Sequence, residues 1–198
     1  MKIEASHVPA LDGIAQAARL EQDNTKAEQA LRDATRYAPR DWRAWHNLGV
    51  FHLESDKTSR AIESIETAVG LAPPTEVAPL LVLTKVLLQR GEAGAALLRA
   101  EQCTQLAPKN GLTWYLRGRA HYDLNRFTEA EKDFRKAVLT DSSLIEARGG
   151  VGLVRAILGD PEAAIIAFKE VLKRDPNNGA ARENLRRLQV LVPDPVQP

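Results

Sequence analysis

The chain has 198 residues, of which 44% are hydrophobic and 27% charged, and its formal net charge is +1. That balance argues against a dedicated nucleic-acid surface, which carries a basic stripe, and a single cysteine excludes an intrachain disulfide. Met1-Lys2-Ile3-Glu4 leads into no apolar run, and the stretch 80–88 is too short for a bilayer and carries Lys85. The expectation is a soluble chain: cytoplasmic if Met1 is the native start, periplasmic if a leading segment has been removed. Along the chain, Ala27, Ala61, Ala96, Ala130 and Ala164 recur at spacings of 34, 35, 34 and 34 residues. Pro39, Pro73, Pro108 and Pro176 follow at a fixed offset, with Ser142 in the remaining slot. A fixed period in this range predicts a repeat array built from one supersecondary unit.

Taken in order, a weak repeat spans 8–41 and four clear ones span 42–75, 77–110, 111–144 and 145–178. A closing helix is expected at 179–191, and 192–198 reads as a disordered tail or linker. Each repeat holds two helical patterns. Apolar residues return at three- and four-residue steps in the first, as in Trp45, Leu48, His52 and in Leu80, Leu83, Leu87. Gly49, Thr84, Gly118 and Gly152 form a small slot where the second helix can approach closely, and the periodic alanines do the same from the other side. Turn signals separate the helices at Gly91-Glu92, Asn125-Arg126 and Gly159-Asp160-Pro161, where Asp160 is placed to cap a helix opened by Pro161. The repeat-closing prolines stop each second helix, because proline lacks an N–H and clashes with the preceding turn.

The run W-x2-L-G-x2-H at Trp45, Leu48, Gly49 and His52, continued by Ala61, Ile65, Ala68 and Pro73, resembles the tetratricopeptide repeat family. So do Trp114, Tyr115, Leu116, Gly118, Ala130, Phe134 and Ala137, and Gly152, Ala164, Phe168 and Pro176. The resemblance implies an all-α fold, a right-handed α-solenoid of tandem helix-turn-helix repeats with a C-terminal capping helix. The chain departs from the pattern at Arg117, where leucine is usual, at Arg148 in the tryptophan slot, at Thr84 in a glycine slot, at Cys103 in a small-residue slot, and by one extra residue within 73–76.

No catalytic constellation is present. His7, His46, His52 and His121 have no metal-ligand spacing, and the lone Cys103 cannot complete a zinc set. Gly149-Gly150-Val151-Gly152 lacks both the preceding strand and the Lys-Ser or Lys-Thr of a phosphate loop. No enzyme activity, cofactor or metal is expected. Arg182, Arg186 and Arg187 read as the solvated face of the closing helix.

The resemblance implies that slots 2, 5, 6, 9, 12 and 13 of each first helix line a concave groove. From these the candidate partner-binding residues are His46, Asn47, Val50, Leu81, Val82, Lys85, Tyr115, Leu116, Arg119, Tyr122, Gly149, Gly150, Leu153 and Ile157. Gly149 and Gly150 are expected to leave room for a bulky anchor, and an acidic partner residue is expected beside Arg119 or Lys85. The carboxylate-clamp pattern of chaperone-binding members fails in two registers, giving His46, Val50, Val82, Leu112, Leu116 or Asp12, Gln16, Asn47, Ala78, Val82. Neither set can grip a carboxylate by charge-assisted hydrogen bonds. The expected function is therefore a non-catalytic scaffold or adaptor that binds an apolar peptide or an amphipathic helix of a protein partner. The alternatives are a self-assembling homo-oligomeric module and the repeat portion of a larger enzyme or signalling protein.

Overall fold

Polar residues at the turns cap the starts of several helices. In the computed structural model, which describes residues 8–191, Asp23 accepts a hydrogen bond from the Lys26 amide (2.9 Å), Asp41 from Arg43 (2.9 Å), Asn110 from Leu112 (3.0 Å) and Asp160 from Ala163 (3.1 Å). Each satisfies an amide that a helix start otherwise leaves unpaired. The helices are α1 (Val8–Leu20), α2 (Asn24–Tyr37), α3 (Trp42–Glu54), α4 (Thr58–Leu71), α5 (Ala78–Gln89), α6 (Ala93–Leu106), α7 (Gly111–Asp123), α8 (Phe127–Thr140), α9 (Ile145–Ile157), α10 (Pro161–Arg174) and α11 (Gly179–Leu191). No strand occurs among the described residues. The tail expected at 192–198 lies outside them.

The turn inside each helix pair needs one left-handed residue, and it recurs with the repeat: Gln22, Asp56, Gly91, Asn125 and Gly159 have φ between 57° and 82°. Only two of the five are glycine, so the other three hold a conformation that costs an L-residue roughly 1–2 kcal/mol. In the longer connection between α4 and α5, the Glu76 side chain accepts from the Ala78 amide (3.1 Å), which caps α5 despite the extra residue there.

The chain forms two compact units, Met1–Val86 and Leu87–Pro198, divided within α5. In the first, Ala15, Ala18, Ala27, Ala30, Leu31, Leu48 and Phe51 form one core cluster. In the second, Ala130, Phe134 and Val154 form one cluster, and Ala164, Phe168, Val171, Ala181 and Leu188 another. All five periodic alanines are fully buried, at 0% exposure. A Cβ on Gly49 would stand 2.5 Å from Ile65, one on Gly118 2.8 Å from Phe134, and one on Gly152 2.9 Å from Phe168. Those separations are below any real carbon–carbon contact, so the paired helices meet backbone to side chain. Cys103 is also fully buried and acts as a small core hydrophobe.

Two departures from the repeat pattern gain a physical reason. The indole N–H of Trp45 donates to the Pro39 carbonyl (3.0 Å), and that of Trp114 to the Pro108 carbonyl (2.8 Å). Arg148 makes the same bond to Ser142 (3.2 Å), and Arg182 to Pro176 (2.7 Å). The slot therefore calls for a long side chain with an N–H at its end, which arginine supplies as well as tryptophan. Arg117 forms a two-pronged pair with Asp133 (2.7 and 2.5 Å) and lies 4.6 Å above the Trp114 ring. Asp133 is only 4% exposed, so its oxygens are satisfied by that partner rather than by water.

Arg117→Leu, although it restores the residue usual in the family, is expected to destabilise the fold by about 3–5 kcal/mol, because it strands a buried carboxylate. Adding Asp133→Leu is expected to recover most of the loss. Urea denaturation of the two variants checks this; an Arg117→Leu variant as stable as the parent would contradict it.

Candidate functional site

In the second unit α9 touches both α7 and α11. Among these helices opens a cavity of about 390 Å³. Phe134 of α8 and Phe168 and Val171 of α10 form its floor, each 2% exposed. Tyr115, Arg119 and Tyr122 of α7 form one wall, Ile145, Glu146, Gly149, Gly150 and Leu153 of α9 the middle, and Ala180, Ala181 and Asn184 of α11 the other wall. Asp175 and Asn178 close the end at the turn before α11. Their side chains are joined by a 3.1 Å hydrogen bond, and Asn178 also caps α11 through the Ala181 amide (3.0 Å).

The tyrosines are held by aromatic contacts. The Tyr115 ring centroid lies 5.9 Å from that of Phe134, and the Tyr122 ring meets Phe127 edge-on at 5.7 Å. Burial pushes the Tyr115 phenol above its ordinary range. Arg119 is not a free cation, since it donates to Asp123 at 3.0 Å on its own helix.

Six of the candidate residues thus line one cavity: Tyr115, Arg119, Tyr122, Gly149, Gly150 and Leu153. Two expectations need correction. Leu116 is 3% exposed and belongs to the core, not to a groove. Gly150 leaves no room for an anchor, because a Cβ there would lie 2.8 Å from the Phe134 ring. Both occupy slot 6, and successive helical residues turn by about 100°, so on α7 and α9 slot 5 is open to the cavity while slot 6 packs against neighbouring side chains. At Gly149, in slot 5, a Cβ would meet no atom within 4 Å. Ile157 is 47% exposed but is not part of the cavity lining.

Asn184 and Ala180 also line the cavity, on a helix that the sequence presents as a cap. Carrying the same slots into 179–191 puts Ala180 at slot 2 and Asn184 at slot 6, which would have found them.

The first unit has a smaller and more polar recess of about 90 Å³, lined by Asp12, Gln16 and Arg19 of α1 and by Asn47 and Val50 of α3, among others. Asn47 donates to one Asp12 oxygen at 2.9 Å, while the other oxygen is buried without a hydrogen-bond partner. Burial raises the Asp12 carboxyl above its usual range despite the Asn47 bond. His46 is half-buried against the edge of Trp42, and burial lowers its pKa. Leu81 and Val82 are half-buried on α5 and Lys85 is exposed.

The remaining chemistry is structural. Arg186 and Arg187 both bond Glu183, at 3.0 and 2.7 Å, which offsets one charge of the basic cluster on α11. Among the described residues no group of three or more His, Cys, Asp or Glu side chains could hold a metal ion, and no helix is long and apolar enough to cross a membrane.

The two neighbouring glycines give a sharp check on this geometry. Gly149→Ala is expected to stabilise the chain by about 0.5–1 kcal/mol, through helix propensity alone. Gly150→Ala is expected to destabilise it by about 1–3 kcal/mol, because Phe134 must move. Thermal unfolding reads both; equal effects would mean that the two faces of α9 are misassigned.

Comparison with known proteins places this architecture. Family models described as tetratricopeptide repeat match residues 13–75, 111–143 and 145–178. Small glutamine-rich tetratricopeptide repeat-containing protein 2 of Saccharomyces cerevisiae is 28% identical over 92 residues, which cover 46% of this chain and 26% of that protein. The chain therefore corresponds to only about a quarter of that relative. A tetratricopeptide repeat protein from Parabacteroides merdae superposes with a TM-score of 0.80 at 20% identity, over 94% of this chain and 74% of the other. MamA from Desulfovibrio magneticus, residue 41 to its end, superposes with a TM-score of 0.76 at 19% identity, over 87% and 97%. At such identities the likeness shows the fold. Proteins with these repeats are generally non-catalytic scaffolds that bind other proteins. With repeat matches spread along its length and helices throughout, the chain belongs to the tetratricopeptide repeat family, with that family's all-α solenoid fold.

Proposed function

We propose that the chain is a non-catalytic adaptor that receives a segment of a protein partner in the cavity of its second unit, apolar side chain first. The observation that carries this reading is the cavity itself, about 390 Å³ over a floor of two phenylalanines and a valine. A binding pocket of this kind joins an apolar lining to a few placed polar groups. Here those groups are Arg119, Glu146, Asn184 and the two tyrosines. Tyrosine and arginine are also the side chains that most often dominate binding at interfaces.

The segment is an extended peptide or one face of an amphipathic helix. Its large side chain enters over Gly149, where the backbone of α9 is bare. Asn184 and the Tyr122 hydroxyl make no hydrogen bond within the protein among the described residues, and both are available to the segment's backbone. His46, Asn47, Val50, Leu81, Val82 and Lys85 of the first unit are candidate contacts for a protein segment in their own right.

Selection of short random peptides on the purified chain tests this. Peptides with a large aliphatic or aromatic residue are expected to be enriched. Their binding is expected to be lost in Gly149→Trp, which fills the cavity, while its melting temperature stays near the parent's. Unchanged binding to folded Gly149→Trp would contradict the reading.

A further inference from the structure

The charges around this cavity select the partner further. The sequence suggests an acidic residue on the partner, drawn to Arg119 or Lys85, and of these Arg119 lines this cavity. In the structure the Arg119 Nε already donates to Asp123 at 3.0 Å, which offsets its charge. What remains around the cavity is negative. Glu146 stands exposed on the first turn of α9 and lines the cavity without an ion-pair partner among the described residues. Asp175, at the cavity's end, bonds only uncharged groups: the Asn177 amide (3.2 Å) and the Asn178 side chain (3.1 Å). Two carboxylates without an ion-pair partner among the described residues thus line the cavity. The rings of Tyr115 and Tyr122 beside them add a surface that attracts a cation through its π face.

We infer that the segment bound here carries a lysine or arginine next to its apolar anchor, seated against Glu146. The inference rests on the adaptor reading above. The apolar side chain descends onto Phe134, Phe168 and Val171, while the cation stays at the mouth between the Glu146 carboxylate and the tyrosine wall. An acidic residue seated against Glu146 would meet like charge, and like-charge juxtaposition is a strong means of rejecting wrong partners. The chain's own C-terminal stretch, Val192-Pro193-Asp194-Pro195-Val196-Gln197-Pro198, contains an acid and no base, so it lacks the charge this site selects.

The test uses the full chain and a peptide taken from the random selection described above, synthesised in three forms with lysine, glutamate or an uncharged residue beside the anchor. Fluorescence polarisation at low ionic strength is expected to show the lysine form binding about tenfold tighter than the glutamate form, a gap that narrows as salt screens it. In Glu146→Lys the order is expected to reverse. Equal binding of the three forms, or an unchanged order in Glu146→Lys, would overturn the inference. The adaptor reading is judged separately by Gly149→Trp, with Gly149→Leu as a smaller filler should the tryptophan lower stability. If the fillers abolish binding while charge has no effect, the cavity binds a segment but does not select a base. If the folded fillers leave binding intact, the cavity is not the site, and both readings fall together.

Discussion

Close contact between the two helices of each repeat is the constraint on which the rest of the fold depends. At Gly49, Gly118 and Gly152 there is no space for a single carbon, because Ile65, Phe134 or Phe168 already fills it. The alanine on the facing helix is fully buried every time. Small residues on one helix and one large residue on the other bring the axes close and leave little freedom in how the pair rotates. Once that rotation is set, each first helix turns a defined strip of its surface away from its partner. The cavity of the second unit is built on that strip.

Polar contacts fix what apolar packing leaves undetermined. A donor from the fourth residue of a first helix reaches the carbonyl of the residue closing the preceding repeat, at Trp45, Trp114, Arg148 and Arg182. Three of these carbonyls belong to the periodic prolines, at the point where helical hydrogen bonding has ended. The Arg117–Asp133 pair adds a link between α7 and α8, with the guanidinium against the face of the Trp114 ring. Fold and site also share a residue: Phe134 packs against Gly118 and Gly150, stacks near Tyr115 and forms part of the cavity floor.

The sequence carried the fold because the determinants are local and repeated. The alanines, glycines and prolines act through steric effects that one residue reports by itself, and the period multiplies them. The site was legible in part, and its errors are instructive. Tyr115, Tyr122, Gly149 and Leu153 line the cavity as their slots imply. Leu116 and Gly150 do not offer open surface, since slot 6 sits one step further around the helix and on α7 and α9 the boundary between open and packed surface falls between slots 5 and 6. That boundary depends on the size of a neighbour such as Phe134, which no slot rule contains. Charge was less legible still. Arg119 looked available until its partner four residues on was seen to hold it, and a one-dimensional pattern does not reveal which of two carboxylates, Asp123 or Glu146, is left unpaired.

Binding at the second-unit cavity is the central functional claim, and amide chemical-shift mapping tests it most directly. The ¹⁵N-labelled chain is titrated with a selected peptide. The account predicts that the largest shifts fall at Tyr115, Tyr122, Gly149, Leu153 and Asn184. Shifts gathered instead around Leu139 and Ile166, which stand 83% and 64% exposed on α8 and α10 outside the cavity, would contradict it.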